Sequence, residues 1–201
     1  SARNRISSED EVGFLAESFN QAADSLAFRI ETEKKSADMA ETLIFPKGLK
    51  EFAGAVLGKF MEITESPLGA FYLRRTDDSR FEPLAAIGVN PELLETFDAA
   101  IFEGEFGQAL TTAKISHISN ISKETVFRFK TFAGTAIPRE IVTIPVVVKK
   151  EVRAMISLAS LGGYSKAAVS ILNQPAMIAL NTAFANLLAN DETRRLAEEL
   201  R

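Results

Sequence analysis

The chain has 201 residues, 46% of them hydrophobic and 25% charged, and its formal net charge is −4 at pH 7. This length suits one domain of ordinary size with accessory helices, and this composition is typical of a soluble globular protein. The acidic balance argues against a nucleic-acid-binding surface, so we expect no nucleic-acid partner. Because cysteine is absent, disulfides, thiolate metal sites, cysteine nucleophiles and thioether-linked cofactors are excluded.

Residues 10–44 predict one long helix with the pattern of a coiled coil. Its apolar residues begin with a 3-4 spacing and continue past the charged Glu33; they are Val12, Leu15, Phe19, Ala22, Leu26, Ile30, Ala37, Ala40 and Ile44. The step from Leu26 to Ile30 is a stutter, which locally unwinds a supercoil. A lone helix with so narrow an apolar stripe is marginal in water, so we expect a partner helix. The alternative is a surface helix that packs on its own domain.

The next segment predicts a helix and then a β-hairpin. Pro46 suits the first turn of a helix, and apolar residues at helical spacing continue from Leu49 to Met61. The pair Ser66-Pro67 ends this helix. The runs "GAFYLRR" and "FEPLAAIG" predict two strands joined by the turn "TDDS".

Short elements are predicted for the middle of the chain. Asn90, followed by a proline and an acid, predicts the start of a helix that runs to about Ile101. The stretch "EGEFGQALTTAK" predicts a glycine-rich entry into a second short helix, and "ISHIS" predicts a strand. Residues 120–139 form a looser segment.

The last third predicts a second hairpin and a long helix. The strands "EIVTIPVVV" and "EVRAMISLAS" are joined at Lys149-Lys150, and a final helix runs from about Ser165 to the end with a bend at Pro175. This order of elements predicts an α+β fold, in which an antiparallel sheet carries helices on both faces and is preceded and followed by long coiled-coil helices.

The start of the first helix resembles the second helix of a HAMP domain. The stretch "DEVGFLAESFNQAADSL" contains the acidic pair Asp10 and Glu11 with Gly13, and the pair Phe19-Asn20 follows within two turns. The resemblance implies that residues 1–28 are the C-terminal half of a HAMP domain and residues 29–45 a coiled-coil linker. HAMP domains follow a transmembrane helix, so the parent protein is expected to be anchored in a membrane upstream of residue 1.

Residues 46–188 resemble a GAF domain. The hairpin "GAFYLRRTDDSRFEPLAAIG", the stretch "GEFGQALTTAK" and the hairpin "IVTIPVVVKKEVRAMISLAS" carry this likeness. The stretch "FRFKTFAGTAIPREIVTIP" is similar to GAF domains set between HAMP and kinase modules in bacterial sensor kinases. The ending "TRRLAEELR", within residues 189–201, looks like the signalling helix that leads to an output domain.

Catalytic chemistry is not predicted from these residues. The single histidine, His117, lies in an alternating strand pattern, and "GEFGQAL" lacks the Lys-Ser/Thr of a phosphate-binding loop. We therefore expect a non-catalytic chain. No cofactor is identified, because the absence of cysteine argues against bilin attachment and a heme would rest on His117 alone.

The GAF resemblance implies a small-molecule pocket on one face of the sheet. Strand alternation assigns Val152, Ala154, Ile156 and Leu158 to the face under the long helices, and Arg153, Met155 and Ser157 to the pocket face. The predicted ligand-binding residues are Tyr72, Phe127, Arg128, Phe132, Arg139, Thr143 and Met155. Aromatic side chains with arginine forks suit a small anion. The alternative is that the arginines are solvated and the phenylalanines fill the core.

Together these patterns predict a sensory and relay module of a histidine kinase in a two-component system. The parent protein would lie on the cytoplasmic side of the bacterial inner membrane, and the module would form a homodimer through its helices. The alternatives are the same module in a diguanylate cyclase or a chemoreceptor, or a structural dimerisation spacer with an empty GAF domain.

Overall fold

The structure is a computed structural model that describes residues 11–43, 46, 48–75, 79–90, 92, 94–100, 104–124, 129–131, 134–172 and 175–199. The helices in these residues are α1 (Glu11–Thr42), α2 (Leu49–Thr64), α3 (Gly104–Thr112), α4 (Lys166–Leu172) and α5 (Pro175–Glu199). The strands are β1 (Leu68–Arg74), β2 (Arg80–Ile87), β3 (Phe97–Asp98), β4 (Ser116–Ile118), β5 (Phe129–Thr131), β6 (Gly134–Ala136), β7 (Glu140–Val148) and β8 (Glu151–Ser160).

Six of the strands form one antiparallel sheet in the order β3-β2-β1-β8-β7-β4, and β5 pairs with β6 in a separate hairpin. The two predicted hairpins, β1–β2 and β7–β8, are both present. They are joined where β1 pairs with β8, from Leu68 opposite Ala159 to Leu73 opposite Ala154. The predicted α+β fold, with an antiparallel sheet between helices, is confirmed.

The larger core lies between the sheet and helices α1, α2, α4 and α5. It is formed by apolar side chains at helical spacing on α2 and at alternate positions of the strands; they include Phe52, Val56, Phe60, Phe71, Ile144, Ile156 and Phe184. Gly69 lets α2 lie close to the sheet, since a Cβ there would be 2.9 Å from Met61 Sδ and 3.0 Å from Leu57 Cδ1. Burial of this face is the main reason that α2 is stable as a helix.

A smaller core covers the opposite face of the sheet. It joins Tyr72, Phe81 and Met155 from the strands to Ala109 and Phe106 of α3. Val152 also lies in this core, so its assignment to the face under the long helices is wrong. The reason is a β-bulge: Ala154 lies opposite Val146 and Val152 lies opposite Val147, which leaves one extra residue, Arg153, on β8.

Helix α1 is one continuous helix of 32 residues, about 48 Å long at 1.5 Å per residue. Its C-terminal turns pack on α2, α4 and α5, and Met39 and Leu43 are buried there. Its N-terminal part exposes large apolar side chains, which are Val12, Phe14, Leu15, Phe19, Leu26, Phe28 and Ile30. No helix in the described part of the chain is long and apolar enough to span a membrane.

The structure differs from the predicted elements at three places. Residues 94–100 are not helical, and Phe97 instead lies in the short strand β3. Pro46 precedes α2, whose first residue Leu49 follows an extended Gly48. Helix α4 ends at Leu172 and Pro175 is the first residue of α5, a position that suits proline because the first turn of a helix does not require its N–H.

Candidate ligand-binding face

The face of the sheet opposite the long helices carries three hydroxyl side chains on neighbouring strands. Ser116 of β4 lies opposite Thr143 of β7, and Thr143 lies opposite Ser157 of β8. Residues that lie directly opposite each other point to the same face of a sheet. These three side chains, which we call the hydroxyl row, therefore form a polar line across an otherwise apolar surface.

The hydroxyl row is buried, with Ser116 3%, Thr143 1% and Ser157 8% exposed. Ser116 Oγ donates a hydrogen bond of 2.8 Å to Gln108 Oε1 of α3. Thr143 Oγ1 is buried and has no hydrogen-bond partner among the described residues. Because an unpaired buried hydroxyl costs about 1–3 kcal/mol, such a group calls for a partner such as a water or a ligand atom.

Two apolar clusters flank the hydroxyl row. On one side Phe97 stacks on Phe81 and on Phe106 with centroid distances of 4.8 Å and 4.2 Å, and Tyr72 meets Phe97 and Phe106 edge to face. On the other side Leu68, Ile141 and Ala159 are covered by Val89 and Ile121. The row is thus the polar centre of a face whose two ends are closed by apolar packing.

A small cavity of about 30 Å³ adjoins Ser157. It is lined by Leu68, Gly69, Ala70, Tyr72, Val89, Leu94, Ser157 and Ala159. This volume suits a water molecule, whereas pockets for small-molecule ligands usually measure about 300–1,000 Å³. Within the described residues, this cavity has no room for a ligand of that size.

The seven predicted site residues fall into three groups. Tyr72 and Met155 are buried and lie directly opposite each other, and Thr143 lies in the hydroxyl row. Arg139 is exposed at the start of β7, with its Cδ 3.8 Å from the place that a Cβ on Gly163 would take. The other predicted residues, Phe127, Arg128 and Phe132, lie outside the described residues.

Ser116 was missed as a site residue, although a signal for it was present. In "ISHIS" strand alternation puts Ser116 on the same side as Ile118, and Ile115, His117 and Ser119 on the other side. The pattern does not say which set faces which side. Pairing of β4 with β7 decides it, because Ser116 comes opposite Thr143 while His117 comes opposite Val142 of the larger core.

His117 belongs to a structural contact away from the hydroxyl row. Its Nε2 lies 2.7 Å from Glu140 Oε2, which also accepts a 3.3 Å hydrogen bond from the Tyr164 N–H. Gly163, at φ +94°, leaves room for the Glu140 side chain, because a Cβ at this position would be 2.8 Å from Glu140 Oε1. In the described residues no group of three or more His, Cys, Asp or Glu side chains is placed to hold a metal ion.

An open groove of about 560 Å³ lies on the helical side of the molecule, between α1 and α5. Among the residues that line it are Ala40 of α1, Leu43 directly after α1, Phe52 of α2, and Ala183 and Asn186 of α5. It is remote from the hydroxyl row, because the sheet separates the two.

No protein-family model matches the sequence, and no curated protein matches it. Solved structures do match the fold. The GAF domain of a phosphoenolpyruvate-protein phosphotransferase from Acinetobacter is 17% identical, with a TM-score of 0.63 over 78% of this chain and 93% of that one. The corresponding GAF domain from Coxiella burnetii is 11% identical, with a TM-score of 0.64 over 82% and 98%. A methyl-accepting chemotaxis protein segment, residues 122 to 287, is 14% identical, with a TM-score of 0.56 over 74% and 96%. The chain therefore has the fold of GAF domains.

Proposed function

We propose that this chain is a non-catalytic sensory and relay module, in which the hydroxyl row helps to bind a small molecule and the long helices carry the signal. The observation that carries the proposal is the buried Oγ1 of Thr143, which has no hydrogen-bond partner in the part of the chain that the structure describes. Valine has nearly the same shape as threonine and would pack equally well here. Threonine instead brings a hydroxyl group that needs a hydrogen-bond partner. A ligand atom or a displaceable water satisfies it.

A more specific part of this proposal is that the ligand is an anion. An anion was predicted from Arg128 and Arg139, and Arg139 alone of the two lies in the described residues. Its side chain is exposed beside Gly163 rather than buried next to Thr143. The anionic class therefore depends on Arg128, while the hydroxyl row supports any ligand with hydrogen-bonding atoms.

Matched small probes test both parts. Each carboxylate is compared with the amide of the same carbon skeleton, namely acetate with acetamide, benzoate with benzamide and nicotinate with nicotinamide. We expect binding, followed by NMR shifts at the amides of Thr143 and Ser157, to weaken at least tenfold in Thr143→Val, a factor worth about 1.4 kcal/mol. Thr182→Val, on an exposed position of α5, is the matched control.

The outcomes separate the alternatives. Carboxylates that bind where their amides do not would support an anionic ligand, and the reverse would exclude that class. Binding that is equal in wild type and Thr143→Val would remove the hydroxyl row from the site. Failure of every probe would favour the structural spacer, for which the cavity of about 30 Å³ is the supporting observation.

For the parent protein we propose a membrane-anchored sensor histidine kinase, in which the module is a parallel homodimer. The support is the HAMP-like start of α1 and its exposed apolar side chains. A chemoreceptor is the second candidate, favoured by the chemotaxis protein segment of the same fold. The sequence that follows residue 201 in the full-length protein distinguishes a kinase core from a chemoreceptor signalling domain or a cyclase.

A further inference from the structure

The β-bulge between β7 and β8 interrupts the ladder close to the hairpin turn. Val146 lies opposite Ala154 and Val147 lies opposite Val152, so Arg153 has no opposite residue. Such an extra residue disrupts the ladder locally and frees backbone groups on the neighbouring strand. The Nε of Arg153 is itself buried without a hydrogen-bond partner among the described residues. This atom therefore makes no hydrogen bond there that would fix the bulge in place.

Helix α5 supplies the hydrogen bond that the bulge leaves open. The Val147 N–H donates to Oδ1 of Asn181 at 3.0 Å. Asn181 is half-buried and lies between Leu180 and Phe184, which are both fully buried on the sheet. A carboxamide in an otherwise apolar contact of a helix with a sheet is costly unless it is bonded, so this bond fixes where α5 lies along β7.

The same two strand residues also form part of the opposite face. Val147 and Val152 pack in the smaller core with Met155, Phe106 and Leu110, next to the hydroxyl row. A movement of that wall therefore displaces the bulge, and the bulge is bonded to α5. Helix α5 then continues as one helix to Glu199, and its described side chains after Leu188 are exposed.

We propose that Asn181 is a positioning residue that couples the wall of the candidate ligand-binding face to helix α5 through the bulge at Val147. The proposal rests on the proposed relay function. Its two states are a bulge bonded to Asn181 and a bulge released from it, and a ligand shifts the balance only by contacting the wall differently in the two. Asn181 acts through the backbone of Val147 and does not touch the ligand.

The test is a double-mutant cycle read by amide hydrogen exchange in the complete chain without ligand. Val152→Ala removes buried methyl groups from the wall, and Asn181→Leu removes the acceptor while keeping the size of the side chain. Asn181→Asp keeps an oxygen acceptor, and Asn186→Leu makes the same change at an exposed position of α5 that faces away from the sheet. Asn181→Ala replaces Asn181→Leu if the leucine variant does not fold.

We expect exchange of the Val147 amide to be about tenfold faster in Asn181→Leu, the factor that corresponds to about 1.4 kcal/mol, and unchanged in Asn181→Asp and Asn186→Leu. We also expect Val152→Ala to speed exchange of amides 183–188 of α5 severalfold in the wild-type background and not in the Asn181→Leu background. Such non-additivity measures coupling between the two sites.

Two results would overturn the proposal. One is an effect of Val152→Ala on α5 that is the same in both backgrounds. Asn181 would then only satisfy the Val147 N–H and would not carry the coupling. The other is no effect of Val152→Ala on α5 at all. Since no ligand is used, failure of the coupling and failure of ligand binding are separate results.

Discussion

Asp98 is the last residue of β3, and one oxygen of its carboxylate accepts two hydrogen bonds that hold the following turn. Its Oδ1 accepts hydrogen bonds from the Ser79 hydroxyl and, at 2.9 Å, from the Ala100 N–H. These two bonds, in that order, and the charge of Arg80 lower the pKa of Asp98 below its ordinary value of 3.8, against a smaller opposing effect of burial.

This shift predicts a pH dependence of stability. A carboxyl whose pKa is lower in the folded state stabilises the fold above its unfolded pKa, and that contribution disappears as the pH falls through the folded value. We expect Asp98→Asn to be less stable than wild type at neutral pH, and the difference to shrink as the pH falls below 3.8. Urea unfolding between pH 7 and pH 3 measures it.

Asp191→Asn, at an exposed position of α5, is the control for the loss of one negative charge. Its difference from wild type should not follow the pattern of Asp98→Asn. A difference for Asp98→Asn that stays constant down to pH 3 would mean that the hydroxyl and amide bonds act equally well on the neutral side chain.

Single residues were predictable where a local pattern determines them. Tyr72, Thr143 and Met155 were placed on one face from strand alternation together with the GAF resemblance, and the structure puts them on the same face. Val152 was misplaced because one extra residue, Arg153, reverses the alternation. A bulge depends on the pairing of two strands, and no pattern within one strand reveals it.

At the scale of the element, β3 exists because of an aromatic stack. Phe97 lies between Phe81 and Phe106, with interplanar angles of 3° and 6°, and Tyr72 contacts it edge to face. We expect Phe97→Ala to lower the free energy of unfolding by about 2–3 kcal/mol, somewhat below the usual range for a fully buried phenylalanine because Phe97 is half-buried. Urea unfolding measures the loss, and hydrogen exchange should show that α3 is affected most.

Leu161→Ala is the matched control, because Leu161 is 48% exposed in the connection from β8 to α4. Its effect should stay below about 0.5 kcal/mol, as is usual at exposed positions. Equal losses in the two variants would show that the stack adds nothing to ordinary apolar burial.

The elements with many regular repeats were predictable, and β3 was not. Helices α1 and α2 and both hairpins show their periodicity in the sequence over many residues, and all are present. The predicted helix at residues 90–101 rested on a local cap signal; Asn90 Oδ1 does accept the Glu92 N–H at 3.1 Å, but residues 94–100 are not helical. Stacking of Phe97 on residues of β2 and α3 outweighs the weak local preference for helix.

At the scale of the whole molecule, the exposed apolar side chains of α1 predict assembly. Phe19 and Leu26 are 60% and 59% exposed, and their stripe continues to Ala40, which lines the groove between α1 and α5. We expect a dimer mass by light scattering at tens of micromolar for the wild-type chain and a monomer mass for Leu26→Glu. The reason is that a charge buried without a partner in a helix–helix interface costs several kcal/mol.

Gln21→Glu adds the same charge at an exposed position outside the stripe, and it should leave the mass unchanged. A monomer mass for the wild-type chain would remove the dimer proposal for this segment. A dimer in Leu26→Glu would move the interface away from the stripe of α1.

The layer order was predictable because the order of helices and strands limits how they pack. The sequence could not predict how tightly the candidate ligand-binding face is closed. Val89 and Leu94 both line the cavity next to Ser157, and Leu94 lies in residues 90–101, which were predicted as a helix. Two of the predicted domain boundaries, after residues 28 and 188, lie inside the continuous helices α1 and α5. The helices show no break there, and these boundaries stay predictions.

The pairing of β1 with β8 has a consequence for how such a molecule can diversify. The frame of the sheet consists of the first and last hairpins, and residues 88–139, which supply β3, α3 and β4, form a single excursion between them. Mutations in that excursion can therefore alter what the face accepts without touching the contact of β7 with α5. Under the proposed sensory function, selection could change the recognised stimulus while the relay helix is inherited intact, so two descendants of one ancestor could respond to different signals through the same helix.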